Sequence, residues 1–244
     1  QLERAFHAPG VKAVVLRVES PGGSSTASFL MDHAVDRLKR ETGRPLVVSM
    51  GSVAASGGYF MSAHADRIYA DRNTVTGSIG VLFVKPSFEG VYARLGVRQD
   101  DFERGGYMRA LSPARDWRAR DQVAADSSIK RLYRLFVERV MDGRKLPNFE
   151  AYAHAQGIPW FGDDAAEYKL IDGIGGLDAA IGEARRLGGI PANEKIALLE
   201  FHHPRGTLLE RLVGSWLRSY VAEQVRMPDF TRAQARAEDW VGEL

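Results

Sequence analysis

Leu46-Val47-Val48 reads as a buried strand, and the residues after it leave the chain few ways to fold: Gly51-Ser52-Val53-Ala54-Ala55-Ser56-Gly57-Gly58-Tyr59-Phe60-Met61. The strand stops at Gly51-Ser52, and Gly57 through Ala63 can start a helix. Ala54, Ala55, Gly57 and Gly58 permit a tight backbone and the close approach of another chain segment. Ser56 stands at the corner of this strand-turn-helix passage. A serine there exposes its hydroxyl, and the N–H groups beside it are free because the first amides of a helix have no partner within it. A presented nucleophile and donors for a developing oxyanion are two needs of acyl transfer. A serine that merely caps the helix would occupy the same position. The corner alone leaves both readings open.

A second glycine turn, Ser20-Pro21-Gly22-Gly23-Ser24, comes after the strand Val11 to Val18. Pro-Gly-Gly between strand and helix can present backbone N–H groups outward, or serve as an ordinary connection. Taken together, Glu19-Ser20-Pro21-Gly22-Gly23, Ala54-Ala55-Ser56-Gly57-Gly58-Tyr59 and Thr76-Gly77-Ser78-Ile79-Gly80-Val81 stand in the order and spacing of a known family. From about Val11 to about Leu187 the chain resembles signal peptide peptidase A, the serine-lysine peptidases of family S49.

That resemblance implies an α/β, ClpP/crotonase-like fold of repeated strand-strand-helix units with a C-terminal helical appendage. The peptidase domain would cover 1–190, and a strand with a helical extension 191–244. It implies Ser56 as nucleophile, and Ser78 as the hydroxyl that hydrogen-bonds a lysine amine and keeps it oriented and neutral. Backbone N–H groups of Gly22, Gly23 and Gly57 would hold the oxyanion. The implied substrates are remnant signal peptides or other apolar peptides at the bacterial cytoplasmic membrane. The chain would attach there peripherally or through an upstream segment, and assemble as a homo-oligomer.

The base is the difficulty. Serine is a poor nucleophile until its proton is taken. Six histidines are present, at 7, 33, 64, 154, 202 and 203. On a regular helix His64 would lie roughly 12 Å beyond Ser56, out of hydrogen-bond reach, and nothing in the sequence ties His202-His203 to the site. A Ser-His-Asp triad is not supported. Lysine is the family's base, since a buried ammonium can lose its proton near neutral pH. Counted to the shared Ser112-Pro113, the family's lysine position falls here on Met108. Arg109 cannot substitute, because a guanidinium stays protonated. Double-length family members carry serine in the C-terminal half and lysine in the N-terminal half, and this chain looks like such a C-terminal half. The lysine would then come from another polypeptide segment. Lys85, just past the Thr76 segment, is the best in-chain alternative; Lys12, Lys39, Lys130, Lys145, Lys169 and Lys195 read as surface residues.

Composition excludes more than it selects. At 244 residues the chain can bury a sizeable core. A formal charge of +2 gives no reason to expect a nucleic-acid partner, and the absence of cysteine rules out thiol chemistry and disulfides. No metal-ligand spacing is evident, so neither metal nor organic cofactor is expected. No apolar run approaches the roughly 20 residues of a membrane-spanning helix. The chain opens on Gln1 without a leader-like segment, which reads as a processed or excised piece and leaves room for an anchor or partner domain upstream.

Further along, Phe29, Leu30, His33, Ala34, Val35 and Leu38 suggest a partly buried helix face, capped by Ser24 or Ser25 and ended by Gly43-Arg44-Pro45. Arg67 to Ala70, Thr74 to Val84, Val97 to Glu103 and Ile196 to Phe201 read as strands. Helices are expected from Pro86 to Leu95, over Phe149 to Gln156, over Leu177 to Leu187, and as a long amphipathic segment from Asp116 to Met141. The tail Leu208 to Val225 reads as a surface helix. Two rival functions share the fold: an idle scaffold that has lost its lysine, and a crotonase-type acyl-CoA enzyme, which leaves Ser56 and Ser78 without a task.

Overall fold

A computed structural model describes residues 1–100, 102, 104–107 and 109–201. In chain order the elements are α1 (Leu2–His7), β1 (Val14–Ser20), α2 (Ser25–Thr42), β2 (Leu46–Ala55), α3 (Gly57–Phe60), β3 (Arg67–Ala70) and β4 (Val75–Gly77). They continue with α4 (Glu89–Arg94), α5 (Ala119–Arg144), α6 (Asn148–His154), β5 (Pro159–Phe161), α7 (Gly162–Glu167), β6 (Gly173–Ile174) and α8 (Leu177–Leu187).

Among the described residues the strands form one six-stranded mixed sheet, parallel except for β5 against β4. β2 is its axis. Its first six residues are all buried, as befits a parallel strand covered on both faces. β1 runs along one edge of β2, from Val14↔Leu46 to Ser20↔Ala54. The other edge is shared, β3 pairing with Val47 to Ser49 and β4 with Val53 to Ala55. One face carries α8, whose Ala180 and Ala184 pack on Val47, Val15 and Tyr69. The main core joins β1 and β2 to α1, α2, α3 and α5 through Phe6, Val35, Leu38, Met50, Tyr59, Phe60, Phe136, Val137 and Val140.

Capping chemistry sets the bounds of α2: Ser24 Oγ accepts the Ala27 N–H at 3.3 Å, and Gly43, at φ +66, donates back to Lys39 O at 2.9 Å. At the start of α5, Asp121 accepts the Arg118 N–H at 2.9 Å and pairs with the buried Arg115 at 2.7 Å. α5 packs through Phe136, Val137 and Val140 in its C-terminal half; Val123 near its start, and Leu132 and Leu135 just past its middle, stay exposed. Among the described residues no helix is long and apolar enough to cross a membrane.

Several expectations need correction. On α2, Phe29, Leu30 and His33 are exposed, and the buried face is Ser28, Asp32, Val35 and Leu38. The Thr74–Val84 strand shrinks to β4, because Gly77 (φ +69) and Ser78 (φ +47) turn the backbone out of the sheet. Residues 97–100 form no strand, and Asp101 and Glu103 lie outside the described residues. Ile196–Phe201 forms none either; all but Phe201 of that stretch is exposed. The Pro86–Leu95 helix begins only at Glu89. The tail Leu208–Val225, with the rest of 202–244, lies outside the described residues.

Two glycines predict opposite outcomes. A Cβ on Gly143 of α5 would lie 2.1 Å from Ala63 O and 2.3 Å from His64 Cδ2, whereas one on Gly182 of α8 meets nothing within 4 Å. Gly143→Ala is expected to destabilise by about 1–3 kcal/mol through overpacking. Gly182→Ala is expected to stabilise by roughly 0.5–1 kcal/mol. Urea denaturation of both variants checks the pair.

Candidate active site

Ser56 leaves β2 with φ +51 and ψ −117, a conformation that costs a non-glycine residue about 1–3 kcal/mol unless its surroundings fix it. They do so here. The Ser56 N–H donates to Gly77 O at 2.9 Å, and Ser56 O accepts the Phe60 N–H at 2.8 Å. Ser56 occupies the cap position of α3, yet its side chain makes no capping bond. The half-buried hydroxyl has no hydrogen-bond partner among the described residues.

The Pro21-Gly22-Gly23 turn lies directly against this corner. A Cβ on Gly22 (φ +114) would come within 2.7 Å of Ser56 Cβ, 3.1 Å of Ser56 Oγ and 3.2 Å of Gly57 N, so only hydrogen fits there. A Cβ on Gly57 would meet Ser28 Oγ at 2.3 Å and Gly23 N at 3.5 Å. The two turn glycines differ in what they offer. The Gly22 N–H donates within its own turn to Ser20 Oγ at 3.2 Å. The Gly23 and Gly57 N–H groups donate to no acceptor among the described residues.

Ser78 sits at the corresponding end of the neighbouring strand, one residue past the Ala55↔Gly77 pair. Its N–H donates to Ile158 O at 3.1 Å and its hydroxyl to Gly157 O at 3.2 Å. The close approach needs glycine at position 80, where a Cβ would come within 2.8 Å of Gly157 Cα: two backbones cross here with no side chain between them. Sequence reasoning misses the supporting segment Gly157-Ile158, although Gly157-Ile158-Pro159 is a turn signal. All the site residues read from the sequence, Ser56, Ser78, Gly22, Gly23 and Gly57, thus gather where β1, β2 and β4 end.

None of the described histidines serves Ser56. α3 is one turn, and His64 lies beyond it with Nδ1 3.4 Å from Asp36 Oδ1. His33 packs on Phe29 and His154 stacks on Tyr168; His202 and His203 lie outside the described residues. The Lys85 ammonium donates to Arg115 O. Lys39 binds His64 O at 2.8 Å and Asp66 at 3.1 Å. Met108 lies outside the described residues.

Charge collects at the other end of β2, about 30 Å away at about 3.3 Å per residue. A cleft of about 420 Å³ there is lined by Asp36, Lys39, His64, Asp66, Arg67 and Arg144, among others. Arg139 joins α5 to α2 through Asp32 (2.6 Å) and Asp36. Burial pushes the Asp32 carboxyl up. Burial also pushes on Asp36, but the hydrogen bond and charge of Arg139, with His64, outweigh it and hold that carboxyl low.

Tyr59 fixes α3 from below. Its hydroxyl donates to Leu170 O at 2.8 Å, and burial raises the phenol, so it stays a neutral donor. Tyr59→Phe leaves that buried carbonyl unpaired and is expected to cost about 1–3 kcal/mol, read as a lower midpoint in thermal unfolding.

A serine hydroxyl on a strained corner, unengaged among the described residues, beside two backbone N–H groups that donate to none of them, at the carboxyl ends of parallel strands, is the layout of a serine hydrolase site on an α/β sheet. Comparison with known proteins narrows the class. Residues 38–190 match the model of Peptidase family S49. The chain is 36% identical over 204 residues to the chloroplastic serine protease SPPA of Arabidopsis thaliana, covering 83% of this chain and 30% of that protein. It is 38% identical over 192 residues to Protease 4 of Haemophilus influenzae, covering 76% and 30%. With Protease 4 of Salmonella typhi it shares 36% over 220 residues, covering 88% and 34%. This chain belongs to peptidase family S49. It spans about a third of the length of these relatives.

Proposed function

We propose that the chain is the serine-bearing part of a Ser/Lys endopeptidase, with Ser56 as nucleophile and the lysine supplied by another polypeptide segment. The observation that carries this is the Ser56 corner itself: a residue forced to φ +51 with its hydroxyl unengaged, against a turn that only glycine can form. The fold is read further as ClpP/crotonase-like, built of repeated strand-strand-helix units over 1–190.

In the proposed reaction a neutral lysine amine takes the Ser56 proton as Oγ attacks the peptide carbonyl carbon. The oxyanion is held by the Gly57 and Gly23 N–H groups, Gly22 contributing space and not a donor, since its N–H is already bound to Ser20. Collapse breaks the C–N bond, and the leaving amine takes the proton from the lysine. The neutral lysine amine then takes a proton from water as that water attacks the acyl carbon; the bond from that carbon to Ser56 Oγ breaks, and Oγ regains the proton from the lysine. Ser78 donates to Gly157 O and so turns its lone pairs away from that contact, available to accept from the lysine N–H. Leu82, Phe83 and Val84, exposed just past Ser78, suit an extended apolar peptide such as a remnant signal peptide. A homo-oligomer at the bacterial cytoplasmic membrane, attached peripherally or through a segment outside this chain, completes the proposal. Family membership counts against the crotonase-type reading. The idle scaffold is an outcome of the test.

A fluorophosphonate probe provides that test. Alone, the chain is expected to label and hydrolyse weakly or not at all; with the lysine-bearing segment added, it should label at Ser56 and turn over peptide. Ser56→Ala should abolish both. Ser78→Ala should remove much of the general-base contribution, about 10²–10⁴-fold in kcat. Robust turnover by the chain alone, lost in Ser56→Ala, would show that the base lies within it; no labelling in either state leaves the idle scaffold.

A further inference from the structure

We propose that Glu19 is a positioning residue for Ser56: its carboxylate holds the bulge in β2 that aims the end of the strand at the glycine turn. This rests on the peptidase reading of Ser56.

The pairing of β1 with β2 is regular up to Val18↔Met50 and resumes at Ser20↔Ala54, so two steps along β1 face four along β2. The extra residues lie in Gly51–Val53, where the β2 backbone leaves the ladder. Displaced N–H groups need other acceptors. Glu19 supplies them, Oε2 accepting the Ser52 N–H at 2.8 Å and Oε1 the Val53 N–H at 3.2 Å. On the far side Thr74 Oγ1 donates to Gly51 O at 2.8 Å. The carboxylate lies so close to the bulge that a Cβ on Gly51 would come within 1.6 Å of Glu19 Oε2.

The bulge falls where β2 changes neighbours. At its last residue Val53 already pairs with Val75 on the other edge, Ala54 and Ala55 follow with Thr76 and Gly77, and Gly77 O then takes the Ser56 N–H. Without two extra residues, the corner would shift along β1 by about 7 Å, at about 3.3 Å per residue. It would no longer meet Gly22. Glu19 also opens the Ser20–Gly23 turn, so one exposed side chain ties the turn to the strand that carries Ser56. Because it is exposed and outside the core, its loss should misplace the corner without unfolding the protein.

The test uses the protein with its lysine-bearing segment, and reads fluorophosphonate labelling of Ser56, peptide turnover and amide exchange. Glu19→Ala should lower labelling and kcat by about 10- to 100-fold, as misplacement of a reacting group does, with KM and the unfolding midpoint little changed. Glu19→Gln keeps one acceptor oxygen and should fall between. Gly51→Ala, which drives the carboxylate away, should match Glu19→Ala, and the double variant should be no worse than either, since both act on one contact. Labelling of Glu19→Ala at the parent rate, or additive losses in the double variant, would overturn the proposal. Should the unaltered protein never label at Ser56, the peptidase reading fails instead, and exchange decides the structural claim. Faster exchange at Ser52, Val53 and Ser56 in Glu19→Ala supports it; an unchanged Ser56 amide overturns it.

Discussion

β2 bonds to β1 along one edge while dividing the other between β3 and β4, and the position of each proposed functional group traces to that division. A strand with one neighbour per edge would carry its register straight to its end. Here the register breaks at Gly51–Val53, and the last residues answer to β4. Ser56 and Ser78 therefore leave the sheet side by side, each forced into positive φ by the turn at the end of its strand. The strain at Ser56 persists because its own N–H and C=O are both bound to neighbours.

The two ends of β2 differ in chemistry. At its start, Lys39 and Asp66 pair with each other, and Arg67 and Arg144 pair with Asp172, while Asp66 also accepts the Leu46 N–H at 2.7 Å. Those charges are spent on one another and on backbone, and Arg139 locks α2 to α5 nearby. At the carboxyl end the neighbours of Ser56 are glycines and serines, leaving backbone donors and an open hydroxyl. In open α/β sheets ligands bind at that end of the strands. The charged group at this end, the Glu19 carboxylate, is taken up by the Ser52 and Val53 N–H groups.

Much of this is legible in the sequence because glycine and serine have few reasons to cluster. The glycine runs at 22–23 and 57–58 mark backbones in close approach, and hydrophobic runs mark β2 and α8. Where local pattern misleads, a tertiary partner decides. Phe29 and Leu30 obey helical spacing, but α2 turns Ser28 and Asp32 inward, toward Gly57 and Arg139. Ile196–Phe201 has strand-like composition and pairs with no strand among the described residues. The bulge cannot be read at all: a register shift belongs to a pair of strands, and its clamp, Glu19, lies 33 residues from Ser52. The split of donors between Gly22 and Gly23 is equally hidden, since it turns on which amide Ser20 Oγ captures.

The central claim, that Ser56 and the amides of Gly23 and Gly57 form one acyl-transfer site, is tested most directly by a crystal structure of a phosphonate adduct. The adduct would be formed on the protein with its lysine-bearing segment present. The account predicts phosphorus bonded to Ser56 Oγ, and a phosphoryl oxygen about 2.7–3.1 Å from both Gly23 N and Gly57 N. A phosphoryl oxygen turned to solvent, or an adduct on a different serine, would contradict it.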